Sequence, residues 1–167
     1  PGEKPTINPV VSLESWSYDQ TLNQSIFIYS VQGGTAPALS HWGLEFCATQ
    51  AAIISCQYWD GDSWENQEIE IQPVGNPGNP ECYNHYPSIK FIYSYQDGET
   101  RRIKFVLGGY FPQIIGYAYT KSGNGGLCFE LLVPQCGQEL PDEDLSFSFS
   151  CHTTNTDTLT VCNPNDS

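Results

Sequence analysis

Ser40 and His41 stand side by side in the run ALSHW, a hydroxyl next to an imidazole, the pair from which a nucleophile and its base are made. Neighbours along an extended chain face opposite ways, so at this spacing they do not read as a catalytic dyad. His41 reads instead as a hydrogen-bonded structural residue. His85 and His152 complete the histidines, and the chain has neither an H-E-x-x-H nor a G-x-S-x-G pattern. Asp60, Asp62 and Glu65 in DGDSWE put three carboxylates close together, the oxygen donors that calcium takes. The twelve-residue EF-hand loop is missing, and a solvated acidic turn is the simpler reading. PDED at 141–144 is weaker still, and SGNGG at 122–126 lacks the lysine of a phosphate loop and lies between strands. Glycoside hydrolysis needs two carboxylates at a set separation in space, which sequence does not give. No catalytic residue, metal or cofactor is assigned, and the chain is expected not to be an enzyme.

Trp59, Trp64, Tyr83 and Tyr86 could stack on sugar rings, although aromatics at this density also build sandwich cores. Asn23 and Asn165 each open an N-x-S triplet and are possible glycan attachment sites; such triplets also arise by chance. Nineteen acidic against six basic side chains give a formal charge of −13. Phosphate backbones and anionic lipid would be repelled over most of such a surface, so neither nucleic acid nor a membrane is expected as a partner. No apolar run approaches the length of a span. The opening PGEKPT, without Met, suits a processed mature protein and equally a cloned fragment.

The seven cysteines, Cys47, Cys56, Cys82, Cys128, Cys136, Cys151 and Cys162, are widely spaced and include no C-x-x-C. Zinc ligands cluster on short turns, so disulfides in an oxidising compartment are the better reading. An extracellular or cell-surface location follows. Seven is odd, which leaves one cysteine free or paired with another chain.

The elements that must carry these groups are strands. VVSLESWSY and QSIFIYSVQ flank the turn DQTLN, and TAPALSHWGLEFC, AAIISCQYW and WENQEIEIQPV follow, the last two joined by DGDS. SIKFIYSY and RRIKFVLGGY around QDGET have the look of a hairpin, as do QIIGYAYTK and GLCFELLVPQC around SGNGG. Short strands at regular spacing predict an all-β fold, an antiparallel two-sheet β-sandwich of jelly-roll or immunoglobulin-like type over 11–136. An extended N-terminal arm, 1–10, precedes it, kept out of a sheet interior by Pro1, Pro5 and Pro9.

A linker and strand-forming tail, 137–167, follow. Leu145, Phe147 and Phe149 alternate with serines in LSFSFSC, the pattern of a half-buried strand beyond a sandwich that already looks complete. Either the tail folds back as a hairpin with Cys151 joined to Cys162, or its strand pairs with the open edge of a neighbouring copy. The N-terminal arm poses the same choice.

PALSHWGLEFC at 37–47, SIKFIYSYQDGETRRIKFVLGGYFP at 88–112 and GLCFELLVPQC at 126–136 resemble a domain family found in secreted and cell-surface bacterial proteins. The resemblance covers about residues 10–136 and implies an extracellular β-rich domain, with no activity attached. It also implies a Cys47–Cys136 disulfide. This chain departs from the pattern by adding Cys56, Cys82, Cys128 and the tail. Cys56 joined to Cys82 would staple the loop between them, worth about 3 kcal/mol in the chain-entropy picture. Cys128 then has no obvious mate and is unpaired or interchain.

Surplus strand at both ends, an odd cysteine and no catalytic set point to an extracellular structural subunit. Copies of the chain would assemble into a filament, pilus-like fibre or coat by strand exchange, locked by interchain disulfides. The alternative is a monomeric cell-surface adhesin or carbohydrate-binding module with surface glycans as partners.

Overall fold

Period-two alternation decides the fold. QSIFIYSVQ puts Phe27, Tyr29 and Val31 on one side, and each is fully buried in the second strand. The computed structural model describes residues 6–35, 37–46, 52–74, 87–123 and 125–135, with the backbone alone at 151–152 and 161–162. The described strands are β1 (Val10–Asp19), β2 (Gln24–Gln32), β3 (Leu39–Glu45), β4 (Ile53–Trp59), β5 (Trp64–Asn66), β6 (Ile69–Gln72), β7 (Ser88–Ile92), β8 (Thr100–Gly108), β9 (Gln113–Ser122), β10 (Gly125–Pro134), β11 (Cys151–His152) and β12 (Val161–Cys162). Two antiparallel sheets of five strands, ordered β1-β2-β8-β4-β5 and β10-β9-β3-β7-β6, make the expected β-sandwich.

The core lies between the sheets. Trp42 from β3 stacks on Phe91 from β7 with ring centroids 4.0 Å apart, and Tyr29 from the opposite sheet meets the indole edge-on at 5.6 Å. Phe91 and Phe46 reach across to Phe105 of β8. Burying each such side chain contributes about 1.5–3 kcal/mol, which makes this aromatic seam the main source of stability. The Tyr29 hydroxyl donates to the Leu132 carbonyl (3.1 Å), tying the first sheet to β10. On the outer side of the second sheet, the Tyr119 ring lies across Gly43. A Cβ there would sit 2.4 Å from that ring and 2.5 Å from the Ile89 carbonyl, so only glycine fits.

Two strand expectations are corrected. WENQEIEIQPV is not one strand: it breaks at Gln67–Glu68, and β5 and β6 belong to different sheets. The crossing is held by Gln67, 4% exposed, whose side-chain amide donates to the carbonyls of Glu68 and Ile92. SIKFIYSY and RRIKFVLGGY do not form a hairpin either, because β7 and β8 also lie in different sheets. The link between them buries Tyr95 and turns at Gly98 with positive φ. Where it enters β8, Arg101 is stacked on Tyr58 (3.9 Å) and Tyr93 (3.3 Å). The β1–β2, β4–β5 and β9–β10 hairpins stand as the sequence suggests.

The arm is fastened to its own body from residue 7. Ile7 N donates to Thr35 Oγ1 (2.8 Å) and Thr35 N to the Ile7 carbonyl (3.0 Å). Residues 1–5, the rest of the expected arm, lie outside the described residues.

The cysteine assignments change as well. Cys56 is free and buried, facing Phe105 in the core, so it does not staple a surface loop to Cys82. A bulge at Ile54 turns it inward. Cys128 is not the spare thiol: it is disulfide-bonded within the chain, to a cysteine whose side chain lies outside the described residues. Once Cys56 is set aside, six cysteines, an even number, remain. Burial pushes the Cys56 thiol well above its ordinary pKa, so it is expected to resist a thiol reagent until the protein is unfolded. Thiol titration with and without denaturant checks this. Cys56→Ser is expected to destabilise by about 1–3 kcal/mol, since the core offers its hydroxyl no water.

Candidate functional site

An exposed strand edge offers a row of unpaired N–H and C=O groups, and proteins usually blunt such edges. Among the described residues, three of the four edges of the two five-stranded sheets are blunted. β5 and β6 are only three and four residues long, and β1 is kinked by a bulge at Glu14 and carries Asp19 at its end. The fourth is different. β10 runs ten residues in unbroken register with β9 and carries one charge, Glu130. No strand among the described residues covers its other side.

The apolar surface gathers on the same hairpin. Ile115 (66% exposed), Leu127 (54%), Tyr117 (45%), Ile114 and Leu132 make up half of the exposed large hydrophobic residues among those described. Leu132 pairs with Ile115 across the outer face of the hairpin, while Leu127 lies on the inner face, opposite Thr120. Beside Leu127 a groove of about 210 Å³ runs between β10 and the start of the chain, lined by Ile7, Pro9, Pro37, Thr120 and Gly126. Chemically this edge can supply main-chain hydrogen bonds, except at the Leu132 carbonyl that already accepts from Tyr29, and apolar seats for alternate side chains of an added strand.

None of these five exposed residues was singled out from sequence. A signal was present, since Ile114-Ile115 and Leu131-Leu132-Val133 break the alternation and must put apolar side chains on both faces of their strands.

The expected assembly residues Leu145, Phe147 and Phe149 lie outside the described residues, as do Cys47, Cys82, Cys136, Asn165, Tyr83, Tyr86 and His85. In the tail, Cys151 and Cys162 are opposed in a two-stranded antiparallel pairing that belongs to neither sheet of the sandwich. Asn23 sits in the β1–β2 turn with φ 51° and accepts a hydrogen bond from Tyr18 Oη (2.7 Å). Ser25 of its triplet is fully buried, donating to the Gly109 carbonyl and accepting from Phe111 N.

Asp60, Asp62 and Glu65 do not come together as a metal-binding group, and no such group is found among the described residues. Asp60 Oδ1 instead accepts from Asp62 N and Ser63 N, while Glu65 accepts from Ser63 Oγ (2.6 Å). Hydrogen bonds from the Ser63 and Asp62 amides hold the Asp60 carboxyl below its usual range.

Ser40 and His41 do meet, contrary to the alternation rule. A bulge at Ser40 brings its Oγ within 3.2 Å of His41 Nδ1. The hydroxyl proton goes to the Lys121 carbonyl (2.8 Å), so Oγ is held as part of the sheet rather than poised to attack. Burial, aided by Lys90 and Lys121 and opposed by Glu70, holds the imidazole below its ordinary pKa. The folded chain therefore takes up fewer protons than the unfolded one between that lowered value and about 6.5, and stability falls as pH drops through the window. Thermal melts at about pH 7.5 and about pH 5 are expected to show a larger loss for the native chain than for His41→Gln. Equal losses would mean that His41 contributes nothing.

A scan against known protein-family models finds no match, and a comparison with curated proteins finds none either.

Proposed function

We propose that the protein is an extracellular structural subunit, without catalytic activity or cofactor, whose copies join by adding a tail strand of one to the β10 edge of the next. The observation that carries this reading is the β10 edge itself: ten residues in unbroken register, mostly apolar, and flanked by a groove. The tail contains a segment of matching character, with Leu145, Phe147 and Phe149 on one side and serines on the other. Inserted along β10, its apolar side would pack beside Leu127 and Phe129 while its serines faced water. With one such edge among the described residues and one such segment in the tail, contacts between copies run head to tail and produce a fibre unless the rotation closes a ring. The charge of −13 keeps unjoined subunits apart in solution.

The disulfides play a smaller part than the odd cysteine count suggested. With Cys56 inside the core and Cys128 bonded within the chain, strand addition supplies the joint without an interchain bond. Sedimentation of the full chain in non-reducing and reducing buffer tests this reading. Association that persists in both is expected, and a monomer at every soluble concentration would overturn it.

A further inference from the structure

The aromatic row at the other sheet's edge is independent of strand addition. We infer that Trp59 and Trp64 form a binding platform for a neutral hexopyranose ring of a surface glycan. The two indoles meet edge-on across the β4–β5 hairpin, centroids 5.4 Å apart at 61°, and both are only partly buried on the outer side of the sheet. The other two tryptophans are structurally engaged: Trp42 is fully buried, and Trp16 Nε1 donates to the Phe111 carbonyl (2.8 Å).

One step along the same face, Gln57 is paired with both Lys104 and Asn66. Two residues along a strand is about 7 Å, so a ring resting on the indoles has amide and ammonium groups within reach of its hydroxyls. Lys104 Nζ already lies 4.5 Å from the Trp64 ring centre and has no carboxylate partner among the described residues. On the opposite flank, the turn presents the exposed carboxylates of Asp60 and Asp62. Hydroxyls both donate and accept, and a rim with cations on one side and carboxylates on the other offers both roles. An acidic sugar would meet those carboxylates, and a cationic ligand would meet Lys104, so the neutral class is the one the rim favours.

An array of immobilised neutral and acidic hexopyranosides tests this. The native chain is expected to bind at least one neutral hexopyranoside, with binding at least tenfold weaker in Trp59→Ala and in Asn66→Ala. Trp16→Phe should bind as the native chain does, and self-association should be unchanged in all three variants. No binding to any neutral sugar, binding that survives in Trp59→Ala and Asn66→Ala, or binding of acidic sugars alone would overturn the inference.

Discussion

Trp42→Ala is expected to lower the unfolding free energy by about 3–5 kcal/mol. Small domains are held by about 5–15 kcal/mol in total, so this one change should bring the fold close to its limit. Trp42 is fully buried where the sheets meet, stacked on Phe91 from its own sheet and met edge-on by Tyr29 from the other. Removing the indole leaves a cavity between rigid sheets that strands cannot easily close. Trp42→Phe should cost much less, because the stacked contact with Phe91 is largely kept. Denaturant unfolding of both variants checks the ordering. If the alanine variant were no less stable than the phenylalanine one, the seam would not be the centre of the core.

Leu127→Lys is expected to weaken self-association at least tenfold, about 1.4 kcal/mol, and to leave stability nearly unchanged. Leu127 is 54% exposed, so the folded subunit tolerates the ammonium group. An added strand would cover the groove beside it and strip that charge of water, which is how lysines protect natural sheet edges. Ile54→Lys is the matched control, equally exposed at 51% but on β4, in the other sheet. Sedimentation velocity reads the association and thermal melting reads the fold. Equal association in the two variants would place the joint elsewhere.

The strands were legible because alternation is local. QSIFIYSVQ shows its buried face without reference to any other element, and β2 spans the whole run. Sheet membership was not legible. In a sandwich both sheets turn their apolar sides to the same core, so a chain that crosses between sheets keeps the pattern of one that continues or turns within a sheet. The break at Gln67 and the misread β7–β8 hairpin have that single cause. Bulges explain two further misses. At Ile54 a bulge turns Cys56 inward, and at Ser40 it brings Ser40 and His41 together, which residue counting alone does not anticipate. The cross-strand partnership of Trp59 and Trp64 was readable, since both flank one short turn of Asp-Gly type. The place of β10 at the end of its sheet was hidden because strand order is a nonlocal property, although the doubled isoleucines and the Leu-Leu-Val run marked the hairpin as unusual.

Whether subunits are joined by a borrowed strand is answered most directly by isotope mixing. Two batches of the full chain carry different labels, are combined before assembly, and are read by solid-state magnetic resonance for contacts between 145–151 and β10. Cross-label contacts in antiparallel or parallel ladder register are the expected result. Contacts confined to copies of like label, in proportion to a chain folded on itself, would contradict it.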